Sequence, residues 1–239
     1  MRVLGLFFLL TSTIAASGSE PSARYGELVF SDDFEREESQ ELKDEPGNDW
    51  TTSSETTAGG HKQVDLRDGA MYIRTHETAN HAASVRHEFA FEDGTLGLKL
   101  KLENDGDSIS LNFADLACKS VHAGHLFRVD IGLDKVSIED LKTGVMNHEI
   151  REARKNGTLS IEGKKKLGMK KASTSHSLTK GEWHNVLVHV KGAAISVEID
   201  GMDVLNFQSP GFAHPSKRLL RLLPPKSAVV DEIRIWKAK

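Results

Sequence analysis

The sequence predicts an all-β protein, an antiparallel two-sheet jelly-roll β-sandwich with a short helical insertion. Apolar residues alternate with polar ones in about a dozen short segments, which is the pattern of half-buried strands. Tight-turn residues separate these segments, and Asp200-Gly201 is the clearest two-residue hairpin turn. An antiparallel sheet with one apolar face needs a second layer, and this many strands are enough for two packed sheets.

The individual strands follow from the period-two alternation, taken in chain order. The strongest example is the segment 181–207, which we predict to be a three-stranded meander because apolar residues share one face of each strand. The polar segment 51–60 could be a loop or an edge strand. The remaining predicted strands cover residues 27–34, 62–66, 70–75, 83–91, 96–102, 108–113, 126–131, 135–141, 218–223 and 228–236.

The alternation stops between residues 142 and 180, which we interpret as an insertion on one edge of the sandwich. Residues 147–156 have the features of a short helix, with Asn147 as its cap and Gly157 after its end. The segment 163–171, GKKKLGMKK, is predicted to be a basic loop. We expect such a loop to be a solvated surface segment, or to bind an anionic polymer or a protein partner.

Residues 1–18 have the composition of a secretory signal peptide. Arg2 precedes an apolar run over 3–10, and small residues follow at 15–17. The run is too short to cross a bilayer, and a buried N-terminal strand is the alternative interpretation. We therefore expect a protein that is secreted, periplasmic or at the cell surface. Its single domain would cover residues 19–239, with no membrane span in the mature chain.

Composition narrows the range of partners and crosslinks. The chain carries a formal net charge of -4, which does not favour nucleic acid as a partner. Cys118 is the single cysteine, so no intramolecular disulfide can form. An exported chain without disulfides must be stabilised by its core, and one large β domain can supply such a core.

Five sequence features together resemble the concanavalin A-like lectin/glucanase superfamily. They are LVFSDDF at 28–34, Trp50, GEWHN at 181–185, the turn IDG at 199–201 and the closing strand VDEIRIW at 230–236. The chain is most similar to the secreted 3-keto-disaccharide hydrolase domains, which are relatives of family-16 glycosidases. The resemblance covers residues 27–236. It implies a concanavalin A-like jelly roll that binds a glycan on its concave sheet face.

The same resemblance implies a structural calcium ion between the first and last strands. Asp231 would be a carboxylate ligand, joined by Asp32 or Asp33, and an ion pair of Asp231 with an arginine is the alternative. The resemblance does not carry over a catalytic site, because two motifs of these enzymes are missing. The E-x-D-x-x-E triplet of the glucanases is absent from the predicted strands, as is the N-S-G-I strand of the keto-disaccharide hydrolases.

The predicted alternation directs a set of polar side chains away from the core, on what we expect to be one outer sheet face. Guanidinium groups, amides and carboxylates bind sugar hydroxyls, and an indole ring stacks on the apolar side of a sugar. An ordinary solvated face is the alternative. The predicted ligand-binding residues are Arg86, Asn112, Arg128, Trp183 and Asn185, with Glu88, Ser110, Asp130 and His189 on the same face.

Three functions remain open from the sequence. The first is an exported domain that recognises a glycan or glycoside. The second is a glycoside-cleaving enzyme of the 3-keto-disaccharide hydrolase type, with Glu88, Asp130 and His189 as predicted catalytic residues. The third is a surface domain that binds a protein through the basic insertion. His125 is a further acid/base candidate, and its spacing from His122 also occurs in metal sites.

Overall fold

Fifteen β-strands form the framework of the computed structural model, which describes residues 24–239. The predicted signal peptide, residues 1–18, lies outside the described residues. The strands are β1 Glu27–Asp32, β2 Thr51–Thr52, β3 Val64–Arg67, β4 Ala70–Arg74, β5 Val85–Phe91, β6 Gly94–Lys101, β7 Ser108–Ala114, β8 His125–Gly132, β9 Lys135–Asp140, β10 Lys171–Ser175, β11 Trp183–Lys191, β12 Ala194–Ile199, β13 Met202–Gln208, β14 Lys217–Leu223 and β15 Ser227–Lys237.

Helical structure is limited to short segments in the described part of the chain. The polar segment 51–60 contains both the two-residue strand β2 and a one-turn helix. No helix within residues 24–239 combines the length and the apolar composition needed to cross a membrane. The helices are α1 Ser54–Thr57, α2 His148–Lys155 and α3 Ile161–Gly168, and 3-10 turns cover His122–Gly124 and Pro210–Phe212.

The strands form two antiparallel sheets, which confirms the predicted sandwich. In sheet 1 the strand order is β13-β12-β11-β6-β15-β4-β3, and β1 also pairs with β15. In sheet 2 the order is β10-β9-β8-β7-β14-β5-β2. Strands that are distant in sequence become neighbours, since β6 lies between β11 and β15, and β7 lies between β8 and β14. This interleaving is typical of a jelly roll.

The core between the sheets is built from the inward half of each strand, as the alternation predicts. Val85, Leu111 and Val129 of sheet 2 are fully buried, and so are Val188 and Val197 of sheet 1. Strands β11, β12 and β13 form the predicted meander. The two residues of its predicted Asp-Gly turn have φ values of 51° and 78°, which a two-residue hairpin of this kind requires.

The insertion after β9 begins with the predicted helix. The side chain of Asn147 caps α2 by accepting hydrogen bonds from the amides of Glu149 and Ile150. The inserted residues end in β10, which pairs with β9 at the edge of sheet 2. The segment 142–180 is therefore a long loop of the β9–β10 hairpin together with an edge strand.

The prediction of a basic loop over 163–171 is wrong, because most of this segment lies in α3. Ser160 caps the helix by accepting a hydrogen bond from the Gly163 amide. Glu162 and Lys166 form an ion pair one turn apart. The glycines within the segment suggested a loop, but the cap and the run of helix-forming lysines outweigh them.

Asp140, at the end of β9, joins the insertion to the sandwich. Its carboxylate is fully buried and accepts hydrogen bonds from both the hydroxyl and the amide of Thr143. It also accepts from the Ser209 hydroxyl and the Gly211 amide, which lie between β13 and β14. Lys170 Nζ lies 3.7 Å from the carboxylate. One buried anion therefore connects three segments at one end of sheet 2.

We expect Asp140→Asn to lower the free energy of unfolding by about 2–4 kcal/mol. The Asn amide nitrogen would face hydrogen-bond donors where a carboxylate oxygen now accepts, so buried donors would lose their partner. Urea unfolding followed by tryptophan fluorescence measures the change, and Asp203→Asn at an exposed position is the matched control. A loss below about 0.5 kcal/mol would contradict this role for Asp140.

Candidate functional site

The six polar residues of β5, β7 and β8 that were predicted to share an outer face do lie together. All three strands belong to sheet 2, and their alternate residues are buried in the core. The grouping is therefore confirmed, while the roles of these residues in binding stay predictions. The residues are Arg86, Glu88, Ser110, Asn112, Arg128 and Asp130.

Trp183, Asn185 and His189 lie on the other sheet, so the prediction that they complete this face is wrong. Their strand, β11, pairs with β6 and β12 in sheet 1. Alternation identifies the outward residues of a strand, but it does not identify which of two sheets the strand joins. The indole ring and the arginines therefore face opposite sides of the sandwich.

On sheet 1 these residues contact polar and aromatic neighbours. Trp183 is 40% exposed, and Lys101 Nζ lies 5.0 Å from the centre of its ring. His189 Nδ1 forms a hydrogen bond with Thr95 Oγ1 at 3.0 Å, and the ring of Tyr25 stacks on the imidazole at 5.7 Å. Burial lowers the pKa of His189. This imidazole is thus covered rather than open to a ligand.

A cavity of about 1150 Å³ lies along β3 and β4 at the edge of sheet 1. Lys62 on its wall lies within an acidic cluster, with Nζ 2.7, 3.2 and 2.8 Å from the carboxylates of Glu38, Glu41 and Asp65. Within residues 24–239 these three carboxylates are the one acidic group close enough together to share a metal ion. The Lys62 ammonium already contacts all three carboxylates, in the position that a shared metal ion would need.

The outer face of sheet 2 carries at its centre a row of five polar side chains, which stand opposite one another on neighbouring strands. The row crosses β5, β14, β7, β8 and β9, over about 19 Å at ordinary strand spacing. Two of its members were not singled out from the sequence, although alternation in KRLLRLL and KVSIED directs both away from the core. In strand order, the row is Arg86, Arg221, Asn112, Arg128 and Glu139.

Arg221, the second residue of this row, is 8% exposed but has few hydrogen-bond partners. Its Nη2 donates to the Ala123 carbonyl at 2.8 Å. Its Nη1 lies 3.0 and 3.3 Å from the two ring nitrogens of His125. A donor aligned with one imidazole lone pair would stand roughly 5 Å from the other nitrogen, so Nη1 lies against the face of the ring. The remaining contact of Nη1 is Asn112 Oδ1 at 3.5 Å.

The loop before β8 positions the carbonyl that binds this guanidinium. Ala123 has left-handed backbone angles, with φ 49° and ψ 26°, which residues other than glycine rarely adopt. Gly124 follows with φ 71°, and a Cβ there would lie 2.4 Å from the Asp115 carbonyl oxygen. The insertion supports the loop, because the His122 amide donates to the Met146 carbonyl at 2.8 Å. The loop thus keeps the Ala123 carbonyl in a fixed position, in a strained backbone conformation that its neighbours maintain.

His125 is neutral at physiological pH. Burial, followed by electrostatic repulsion from Arg221, His122 and Arg128, lowers the pKa of His125 from 6.5 to about 4. Its Nδ1 lies 2.9 Å from Asn112 Oδ1, so we assign the ring proton to Nδ1, which donates to that oxygen. The Arg221 guanidinium opposes a metal shared by His122 and His125, because its Nη1 lies 3.3 Å from Nε2, the ring nitrogen that keeps a lone pair, and its charge repels a metal ion.

Arg128 holds two carboxylates on the other half of the face. Its Nε and Nη2 donate to Glu139 Oε2 at 3.0 and 2.7 Å, and Asp130 Oδ2 lies 3.4 Å from Nε. Lys171 Nζ lies 3.9 Å from both carboxylates. Because two oxygens that share one nitrogen at these distances lie within about 6 Å of each other, their separation is compatible with a glycosidase pair.

The predicted catalytic group of Glu88, Asp130 and His189 is not assembled. Glu88 is exposed on β5, three strands away from Asp130 on β8, which is about 14 Å at ordinary strand spacing. His189 lies on sheet 1. The catalytic carboxylates of glycosidases are about 5–10 Å apart, so these three residues cannot act on one bond. The carboxylate that accompanies Asp130 is Glu139, which the sequence analysis did not select.

Ser110 adds a polar group that the protein itself does not use. The residue is 8% exposed, and its Oγ is buried without a hydrogen-bond partner among the described residues. It stands opposite Asp130 on β8 and opposite Leu223 on β14. A buried hydroxyl without a partner is destabilising, and a ligand or water that bonds to it removes this penalty.

Of the predicted calcium ligands, Asp32 is already engaged by other side chains of the protein, and a site of Asp231 with Asp33 stays a prediction. The carboxylate of Asp32 accepts hydrogen bonds from Arg36 and from Trp50 Nε1, and is therefore occupied. Asp231 lies at a bulge of β15, where burial raises its pKa and its carboxylate accepts a hydrogen bond from the Glu232 amide. Calcium binding at Asp231 stays a prediction, and Asp32 does not fit as its second ligand.

The fold is similar to that of solved carbohydrate-active proteins. The GlcNAcα1-4Gal-releasing endo-β-galactosidase from Clostridium perfringens matches with a TM-score of 0.58 at 11% identity, over 95% of this chain and 65% of that enzyme. LamAcat from Zobellia galactanivorans matches with a TM-score of 0.55 at 16% identity, over 90% of this chain and 99% of that one.

A binding module shares the fold as well. The carbohydrate-binding module CBM66 from Bacillus subtilis matches with a TM-score of 0.50 at 10% identity, over 77% of this chain and 93% of that module. No family model matches the sequence, and a search of curated proteins gives no match. The chain therefore has the concanavalin A-like β-sandwich that its sequence predicts, a fold used by both glycoside hydrolases and carbohydrate-binding modules.

We expect the protein to lose stability as the pH falls from 6.5 to about 4, through His125. In this window the unfolded chain binds a proton at His125 and the folded chain does not, so acid favours unfolding. The full shift in pKa corresponds to at most about 3 kcal/mol. Melting temperatures between about pH 4 and pH 7 should therefore depend less on pH in His125→Gln than in the wild type.

The other histidines whose pKa is lowered are unchanged in this comparison, so their contributions cancel. His87 and His189 both belong to this group, and burial is the main cause for each. Parallel pH profiles for His125→Gln and the wild type would contradict a neutral, buried His125.

Proposed function

We propose that this protein binds a glycan on the outer face of sheet 2, and that it does so outside the cell after export. The observation that carries the proposal is the presence of buried, underused hydrogen-bonding groups at the centre of this face. Arg221 and Ser110 are each 8% exposed, and neither has a full set of partners among the described residues. Buried polar groups are normally satisfied, so each exception needs an explanation, and a ligand that completes the bonding is one.

The chemistry of the row suits a sugar chain. Adjacent sugar hydroxyls both donate and accept, and the row offers guanidinium donors, an amide and a carboxylate in one line. The row spans about 19 Å, which is long enough for several linked sugars rather than one. Its residues stand on β-strands within a packed sheet, so binding would not require them to be ordered first.

The comparisons add support at the level of the fold. The names of the similar proteins describe an enzyme that cleaves galactosides and a module that binds carbohydrate. Export is supported by the composition of residues 1–18. Sheet 1 is the weaker candidate, because Tyr25 stacks on its central imidazole and Lys62 already occupies the carboxylate cluster on its cavity wall.

Paired substitutions on the two sheets test this proposal. On sheet 2, we expect Arg128→Ala to weaken binding of the best ligand from a glycan array by about 10- to 100-fold, because a charged donor is lost. On sheet 1, we expect Asn185→Ala and Trp183→Ala to bind as the wild type does. Titration calorimetry measures the affinities, and melting temperatures verify that each variant is folded.

The two possible failures are distinct. Loss of binding in the sheet 1 variants alone would move the site to the other face. Failure of the folded wild-type protein to bind any neutral, uronic, sulfated or 3-keto glycan would overturn the proposal. In that case the exposed basic helix α3 would be the remaining candidate interaction surface.

A second candidate function is glycoside cleavage by Asp130 and Glu139. The observation that favours it is their separation of at most about 6 Å around Arg128, which is compatible with a glycosidase pair. The ion pairs with Arg128 and Lys171 give the same carboxylates a structural use that needs no reaction. A substrate of the 3-keto-disaccharide type would rest on the sequence resemblance alone.

Product release separates the enzyme from the binding module. If the chain is a hydrolase, Glu139→Gln and Asp130→Asn should each reduce product formation at least about 100-fold, well beyond any accompanying loss of glycan affinity. Glu88→Gln is the matched control, since this carboxylate lies three strands from Asp130 and should leave turnover unchanged. Binding without any product from the wild type would favour the module.

A further inference from the structure

The outer face of sheet 2 is divided into two halves with different charge balance. On β8 and β9, Arg128 is paired with Glu139 and Asp130. On β5 and β14, Arg86 and Arg221 stand directly opposite each other in the antiparallel register. Among residues 24–239, neither of these two guanidinium groups forms an ion pair with a carboxylate, and Arg86 donates only to Ser84 Oγ at 2.9 Å.

This arrangement is costly without an anion. Like charges directly opposite on neighbouring strands repel, and a buried cation loses hydration that no partner replaces. The surroundings of Arg221 reflect this, since burial and then the charge of Arg86 lower the pKa of the Arg221 guanidinium to about 10. The neighbouring His125 is neutral and contributes no negative charge. In the described part of the chain, this position thus has two opposed cations and no carboxylate in an ion pair with either of them.

A structural explanation covers only part of Arg221. Its Nη2 binds the Ala123 carbonyl and supports the strained loop. Its Nη1, by contrast, lies against the His125 ring with a distant contact to Asn112. A guanidinium group has five N–H donors in a planar fork, so most of them remain available. Nothing in the fold of the described residues requires these donors to be left unpaired.

We propose that Arg86 and Arg221 form a subsite for an oxyanion carried by the glycan, either a carboxylate or a sulfate group. The inference rests on the proposed glycan-binding function and specifies its ligand class. An oxyanion would accept parallel hydrogen bonds from one or both forks and would neutralise two opposed charges at once. Ser110, on the adjacent strand β7, has a buried hydroxyl without a partner among the described residues, and a small side-chain rotation would turn it toward the neighbouring part of the sugar chain.

Among the described residues, no aromatic side chain beside these arginines is placed to stack on a sugar, which also favours an anionic ligand. Neutral sugars are commonly held by stacking on an indole or phenol ring, and the predicted stacking residue, Trp183, lies on sheet 1. The residues of β5, β7, β8, β9 and β14 that point outward include no Trp, Tyr or Phe next to this pair of arginines. Recognition on this face therefore depends on charge and hydrogen bonds.

Matched pairs of oligosaccharides test the subsite. One pair is an oligogalacturonate and its methyl ester, and the other is a sulfated galactan oligosaccharide and its desulfated form. Titration calorimetry at low and moderate salt compares the wild type with Arg221→Gln, Arg86→Gln and Arg221→Lys. Arg234→Gln, with the same charge change on the outer face of sheet 1, is the control. The half-buried Arg86 keeps the test informative if Arg221→Gln does not fold.

We expect the wild type to bind the anionic member of at least one pair 10-fold or more tighter than its neutral counterpart. That preference should disappear in Arg86→Gln and Arg221→Gln, fall partly in Arg221→Lys, and persist in Arg234→Gln. The pair that shows the preference distinguishes carboxylate from sulfate. Equal affinity for anionic and neutral members, or a preference that survives both glutamine variants, would overturn the subsite while leaving glycan binding intact. Absence of binding to all four compounds would overturn the subsite, whereas the wider glycan array decides the proposed function separately.

Discussion

The core between the two sheets depends on the alternation of apolar and polar residues along the strands. Each sheet packs against the other sheet through one face, and its second face points outward. The same alternation determines what remains outside. On sheet 1 the outer face is partly closed, since Trp236 is 4% exposed and lies over Gly97, where a Cβ would come within 2.9 Å of the indole ring. On sheet 2 a row of polar residues crosses five neighbouring strands. The two faces of one sandwich are therefore chemically different.

The two ends of this polar face differ in their charges. One end has cations without carboxylates, and the other has carboxylates that share Arg128 and Lys171. A ligand that satisfied both ends would need a negative group at Arg221 and hydroxyl groups toward Glu139. Such a ligand could lie on the sheet in one direction only. The same asymmetry explains why the neutral imidazole of His125 is placed between the arginines, where a charged ring would add a third cation.

Sequence reasoning predicted the sandwich, most strand positions, the cap of α2 and six outward residues of sheet 2, because each depends on local period or local hydrogen bonding. It did not predict that β11 joins sheet 1, since the pairing of distant strands leaves no local pattern. It also missed Arg221 and Glu139. Alternation directs both outward, but their significance depends on burial and on neighbours from other strands. Helix α3 was not predicted, because its cap at Ser160 lies before the basic segment 163–171.

The insertion has a consequence for the order in which the sheet assembles. Strands β9 and β10 are direct neighbours, yet the loop that connects them has 30 residues, 141–170. Compared with a two-residue turn, closing such a loop costs about 2 kcal/mol more in chain entropy. The other six strands of sheet 2 can pair before β10 arrives, and local fluctuations should release this edge strand first. Lys171 would leave with it, so the width of the polar face and the charge beside Glu139 would change together.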